Sequence, residues 1–215
     1  MLGRVRWIVW PALVIVCGLG LVVPAPWGFI VGLVAGGVYV GWLAVLDAVP
    51  PHIENWWRGA EGERKTERAL RPLERAGWVI SHDLHGKFGN VDHLVVGPAG
   101  VFLLDSKWWR GTARVEGDLA IVTPIEDPDA SWTWDRLAGQ LRGASAANHD
   151  AIRKLTDVNA WVTAVAVLWC PFDQGVATHN KVTYIHGDRL CDWLLAQPQR
   201  LTPPQIQSIS RIVSS

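Results

Sequence analysis

The chain has 215 residues, and setting aside the apolar first fifty leaves about 160, enough for one ordinary domain with one core. Its 20 basic and 20 acidic side chains balance, and they still balance without Arg4, Arg6, Asp47 and Glu54; this excludes a strong non-specific polyanion binder, so any nucleic-acid contact must come from a local patch. Three cysteines (Cys17, Cys170 and Cys191), with no CxxC or Cys/His ligand spacing, argue against a disulfide scaffold or a zinc site and fit a reducing compartment.

Two apolar runs open the chain. Trp7 to Val23 and Trp27 to Leu46 contain no charged residue, and Pro24-Ala25-Pro26 separates them. Their lengths predict a two-helix transmembrane hairpin over residues 1–50, with spans at 7–23 and 27–46. Trp7, Trp10, Trp27 and Trp42 lie near the ends of the runs, where interfacial anchors belong. Arg4 and Arg6 precede the first run, and Arg58, Arg64 and Lys65 follow the second. The positive-inside bias then places both ends in the cytoplasm, giving a cell-membrane protein with two spans through residues 7–46 and a cytoplasmic domain. The competing reading is a signal peptide cleaved near Val23-Pro24-Ala25, but a second apolar span follows at once.

Residues 51–58 read as a juxtamembrane linker, and 59–215 as the remaining domain. Gly59 to Gly77 reads as a helix with Ala69, Leu70, Leu73 and Ala76 as one apolar stripe, and Pro72 should kink it. Trp78 to Leu84, Val91 to Val96 and Val101 to Lys107 read as strands, the last two joined by Gly97-Pro98-Ala99-Gly100. A small hairpin is expected around Glu116-Gly117-Asp118. A long helix follows from Trp134 to about Thr156, then a strand buried on both faces from Trp161 to Trp169. Lys181 to Ile185 reads as a shorter strand, Asp188 as the cap of a helix through Ala196, and Thr202-Pro203-Pro204-Gln205 as a capping box opening a last helix. The order α-β-β-β-α-β predicts an α/β core with a mixed central sheet and helices on its faces.

Chemistry concentrates around the central hairpin. With the four turn residues as the loop, Val96 pairs with Val101 and Asp92 falls opposite Asp105. Opposed residues share a sheet face, and Lys107, two residues on, shares it too. Two carboxylates and an ammonium thus converge from strands that are otherwise apolar. Adjacent carboxylates repel when ionised, and a divalent cation relieves that repulsion; an oxygen-only donor set favours Mg²⁺ or Mn²⁺. Glu63, two turns before Leu70 at the edge of the apolar stripe, adds a third carboxylate where helix meets sheet, whereas Glu61 points away. His93 alternates to the other face and reads as structural, and His82 and His85 read as loop residues.

Gly59-Ala60-Glu61-Gly62-Glu63-Arg64, Asn90-Val91-Asp92-His93 and Asp105-Ser106-Lys107, with the Gly-Pro-x-Gly-Val-Phe turn between the last two, resemble the motifs of the nuclease-related (NERD) family of the PD-(D/E)xK superfamily. The resemblance covers about fifty residues closely. It implies a restriction-endonuclease-like fold and metal-dependent phosphodiester hydrolysis. By that resemblance Asp92 and Asp105 hold Mg²⁺ or Mn²⁺, and Glu63 holds it or a second ion. Lys107 orients or deprotonates the attacking water, or stabilises the transition state. Gln140 looks like the family's further glutamine, in substrate positioning or helix packing. The family often has Glu where Asp105 stands, one methylene longer, which shifts where a metal would sit. The implied function is a membrane-anchored nuclease acting on DNA, with a homodimer considered because nucleases that cut both strands often pair. The alternative is an inactive nuclease-fold module that binds nucleic acid or a protein partner.

Overall fold

The computed structural model describes residues 27–47, 51–84 and 91–213. The chain divides into two compact units, residues 1–54 and 55–215. In the first, helix α1 (Trp27–Asp47) occupies the second apolar run. Among the described residues no helix is long and apolar enough to cross a membrane. That finding overturns the expected transmembrane hairpin and the two-span cytoplasmic placement, and leaves the bilayer contact through residues 7–46 without support. An uncharged run of sufficient length is a sequence criterion and does not by itself establish a span. The run at 7–23 and its Pro24–Pro26 turn lie outside the described residues, as do His85 and Asn90.

Helix α2 (Pro51–Arg75) begins earlier than the sequence pattern suggests, so the expected linker at 51–58 is helical. Pro51 suits a first helical position, where its missing N–H would have no partner anyway. Pro72 lies inside the helix, near its end. Leu70 and Leu73 are fully buried from its inner stripe, each contributing about 1.5–3 kcal/mol.

Strands β1 (Val79–Leu84), β2 (Val91–Gly97) and β3 (Gly100–Lys107) form the antiparallel meander. A second, smaller sheet follows: β4 (Thr112–Glu116), β5 (Leu119–Thr123) and β6 (Trp132–Trp134) in that order. Helix α3 (Leu137–Thr156) then crosses to β7 (Val162–Leu168), which pairs parallel with β3. Asp157, left-handed at φ 58°, closes α3 by donating its N–H to the Arg153 carbonyl. Strands β8 (Val176–His179) and β9 (Val182–His186) complete a six-stranded mixed sheet, ordered β1-β2-β3-β7-β9-β8. Helices α4 (Leu190–Leu195) and α5 (Pro203–Val213) follow. Half of the expected capping box is present before α5: the Gln205 side chain accepts from the Thr202 N–H at 2.9 Å, while the Thr202 hydroxyl also donates to Gln205.

Alternation along the sheet separates two cores. One face, with Leu94, Val96, Val101, Leu103 and Ala166, packs with α3, α5 and the small sheet. The other, with Val95, Phe102, Leu104, Val165 and Val167, packs with Leu70 and Leu73 of α2 and with α4.

The hairpin register is the one expected, Val96 opposite Val101, but the pairing runs on to Gly97 and Gly100 and leaves Pro98-Ala99 as a two-residue loop. Gly100 has φ +134°, a conformation that side chains rarely adopt. Gly97 is required by contact: a Cβ there would lie 2.1 Å from the Trp78 indole, which is itself buried. Gly97→Ala is therefore expected to cost about 1–3 kcal/mol through overpacking, read as a lower urea midpoint with an unchanged slope.

Candidate active site

Asp105 and Lys107 continue the face of Val101 and Leu103 at the carboxyl end of β3. Their side chains pair, Lys107 Nζ lying 2.6 Å from Asp105 Oδ2, and each is mostly covered, at 19% and 24% exposed. Continuing the register beyond His93–Leu104 sets Asp92 opposite Asp105. Asp92 Oδ2 accepts the Ser106 backbone N–H at 2.9 Å, which fixes this carboxylate against the neighbouring strand. A cleft of about 570 Å³ opens here, lined by Arg58, Gly59 and Glu63 of α2, Asp92, Ser106 and Lys107 of the hairpin, and Trp108, Trp109, Trp132 and Trp134.

Glu63 thus reaches the cleft with Asp92 and Lys107. Burial, then Asp92 and Asp83, raise its carboxyl above the ordinary range, with Lys107 opposing. Burial also raises Asp105; the adjacent Lys107 opposes this and Asp92 adds to it. After burial, Asp92 acts on both of the other acids. Among the described residues, however, no group of three or more His, Cys, Asp or Glu is arranged to hold a metal ion. Lys107 occupies the Asp105 carboxylate instead. Gln140 is exposed on α3 and does not line the cleft.

What holds α2 over the hairpin is a buried polar cluster that sequence reading missed. Thr66 Oγ1 contacts Ser106 Oγ at 2.7 Å, lies 3.1 Å from the Gly62 carbonyl that it can donate to, and accepts from Trp169 Nε1 at 2.9 Å. Thr66 lies one helical turn from Glu63, so this cluster sets the height of the carboxylate over the sheet. Its members are separated by up to 103 residues, and nothing local announces them. Lys65 lies over the Trp108 ring at 3.9 Å from its centroid, and Arg68 and Arg64 pair with Glu61. The basic side of α2 at these positions is internally paired.

His93 faces away from Asp92 and is buried, as its alternation suggests. His82, expected in a loop, lies in β1 opposite His93, and the two Nδ1 atoms are 2.8 Å apart. One ring donates and the other accepts, so at least one must be neutral at that atom. Burial, then His82, push His93 down to about 4, with Asp83 and Glu67 opposing. Because this folded value lies below the ordinary 6.5, the stability it provides is complete above that pH and is lost as pH falls through 4. The loss is on the order of 3 kcal/mol. Glu63 and Asp105, raised in the fold, act in the opposite direction. The expected readout is therefore the difference between wild type and His93→Asn, unfolded in urea at pH 7 and near pH 4: the wild type loses more stability on acidification.

With this geometry in view, comparison with known proteins gives a likeness over part of the chain. Residues 58–136 match the nuclease-related domain family. NERD domains belong to the PD-(D/E)xK-like superfamily. The matched segment contains Glu63, Asp92, Asp105 and Lys107 but ends before Gln140. An uncharacterized protein of Bacillus anthracis is 27% identical over 70 residues, 30% of this chain and 32% of that protein. The chain therefore aligns with about a third of that relative. No solved structure matches the chain.

Proposed function

We propose that the NERD domain hydrolyses phosphodiester bonds of DNA with the help of Mg²⁺ or Mn²⁺. The observation that carries this reading is the convergence of Glu63, Asp92 and Lys107 on one cleft, with Asp105 paired to Lys107 beside it. The donor set is oxygen only, which suits a hard divalent ion. Two features support the fit: Asp105 Oδ2 is buried against the Lys107 ammonium, and burial, then Asp92, raises Glu63. Asp92 and Asp105 would hold the ion, with Glu63 facing it from α2. When bound, it would supply a Lewis acid for the phosphate and a more acidic bound water.

The remaining work falls to this chain's own groups. Lys107 carries a positive charge two residues from Asp105 on the same face, where it can donate to a phosphate oxygen as negative charge develops. Its present contact with Asp105 neutralises that carboxylate, so an arriving cation and phosphate would compete for the two partners. The Ser106 N–H keeps Asp92 from rotating away. Arg58 lies at the same cleft, on the side of α2. Tryptophan side chains line the cleft beside these groups and lower the local dielectric, which strengthens the electrostatics.

One observation favours a second reading, a NERD module that binds nucleic acid without cutting it. No three-carboxylate group is arranged for a metal among the described residues. Calorimetric titration of the full chain with Mn²⁺ and with Mg²⁺ separates the two. Binding that Asp92→Ala and Asp105→Ala each weaken supports the hydrolase; absence of binding, or indifference to both changes, supports the binding module.

A further inference from the structure

The cleft has an aromatic wall that hydrolysis of a phosphodiester does not require. Trp132 and Trp134 alternate on β6, so both side chains leave one face of that strand, with Thr133 on the other. They meet Trp109, with ring centroids at 5.7 Å from Trp132 and 5.8 Å from Trp134. The cluster is anchored to a core, because Ala120 and Val122, the β5 partners of Trp134 and Trp132, are fully buried.

The four tryptophans of the cleft are not equivalent. Trp109 is only 8% exposed and packs inward. The Trp108 ring is covered by the Lys65 ammonium at 3.9 Å. Trp134 lies under the Lys107 ammonium, 5.3 Å from its centroid, and so helps to place that charge. Trp132 remains, 39% exposed at the rim and braced edge-on by Trp109.

We propose that Trp132 is a stacking platform for an unpaired nucleobase, so that the substrate is single-stranded DNA; this rests on the hydrolase reading above. In a duplex both faces of each internal base are covered by its neighbours, and only an unpaired or frayed base can present its face to an indole. Charge agrees with this choice. A duplex binder draws most of its affinity from a broad basic surface, whereas this chain has no net charge and several of its α2 cations are paired internally. Stacking supplies affinity without that surface. Trp134 is a positioning residue for Lys107 and not part of the platform.

The test is binding of a labelled oligodeoxythymidine of about 15 nucleotides, and of a blunt duplex of the same length, to the full chain in EDTA, followed by fluorescence anisotropy. The single strand is expected to bind more tightly than the duplex. Trp132→Ala is expected to weaken single-strand binding roughly tenfold with little effect on the duplex, while Trp132→Phe retains most of the affinity. Unchanged single-strand affinity in a Trp132→Ala protein with wild-type circular dichroism overturns the proposal, and so does a duplex bound as tightly as the single strand. Should Trp132→Ala fail to fold, the Phe variant carries the test with Trp132→Leu, which keeps bulk without an aromatic face: Leu must lose the affinity that Phe retains, and equal affinities overturn the platform. Binding in EDTA requires no cleavage. A chain that prefers single strands through Trp132 but never cuts them contradicts the hydrolase reading alone, and a chain that cuts duplexes indifferently to Trp132 contradicts the platform alone.

Discussion

Asp105→Asn is expected to lower Mg²⁺-dependent cleavage of single-stranded DNA by at least roughly 10²-fold. The substitution preserves shape and removes charge. It removes the carboxylate that stands opposite Asp92 on the hairpin, and it leaves the Lys107 ammonium without its ion-pair partner. Lys107→Met is expected to act on the rate to a similar degree but by another route, since it spares both aspartates. The two variants should therefore differ in metal binding: Asp105→Asn weakens Mn²⁺ titrations, and Lys107→Met does not. Initial rates on a labelled oligonucleotide, with the calorimetric titrations, check both. A rate for Asp105→Asn within a few-fold of wild type would move the chemistry elsewhere.

The second large effect concerns what holds the site together. Thr66→Val keeps the volume of a fully buried side chain and deletes its hydroxyl. Ser106 Oγ then loses its 2.7 Å partner and Trp169 Nε1 its acceptor. Leaving such groups unpaired costs about 1–3 kcal/mol each, so a total loss of about 2–6 kcal/mol is expected. Urea unfolding measures it as a lower midpoint. Activity should fall further than stability alone explains, because Glu63 is carried by the same turn of α2. A loss below about 1 kcal/mol would mean that apolar packing of Leu70 and Leu73 holds the helix by itself.

These two sites differ in how well they can be read from the chain. The hairpin is written locally: Gly97-Pro98-Ala99-Gly100 between alternating apolar runs is enough to set Val96 against Val101, and parity then carries Asp92, Asp105 and Lys107 to one face. Glu63 is legible through helical spacing from Leu70. The Thr66, Ser106 and Trp169 cluster is not, because its partners meet only after β7 joins the sheet beside β3. Strand β6 is three residues long and hides in a polar stretch, although Trp-Thr-Trp alternation was its available signal. His82 is not legible locally, because its partner depends on the β1–β2 register that sets it opposite His93. Strand β8 likewise needs β9 as its template. The apolar opening of the chain shows the reverse error: an uncharged run at 27–46 satisfies a length rule, yet among the described residues no helix is long and apolar enough to cross a membrane.

The Lys107–Asp105 pair also bears on why activity would need a metal at all. Three carboxyl groups, Asp92, Asp105 and Glu63, surround one ammonium, and burial with Asp92 raises the other two. Without a cation, an anionic phosphate would meet excess negative charge in the cleft. Removal of divalent ions should therefore suppress substrate turnover more than it suppresses binding of a base at the tryptophan wall.

The most direct measurement is single-turnover cleavage of a labelled single-stranded oligonucleotide by the full wild-type chain, in Mg²⁺, in Mn²⁺ and in EDTA. Products are expected in the presence of either ion, none in EDTA, and none with Asp105→Asn over the same time. An intact oligonucleotide under every condition, or cleavage indifferent to both EDTA and Asp105→Asn, would contradict the hydrolase reading.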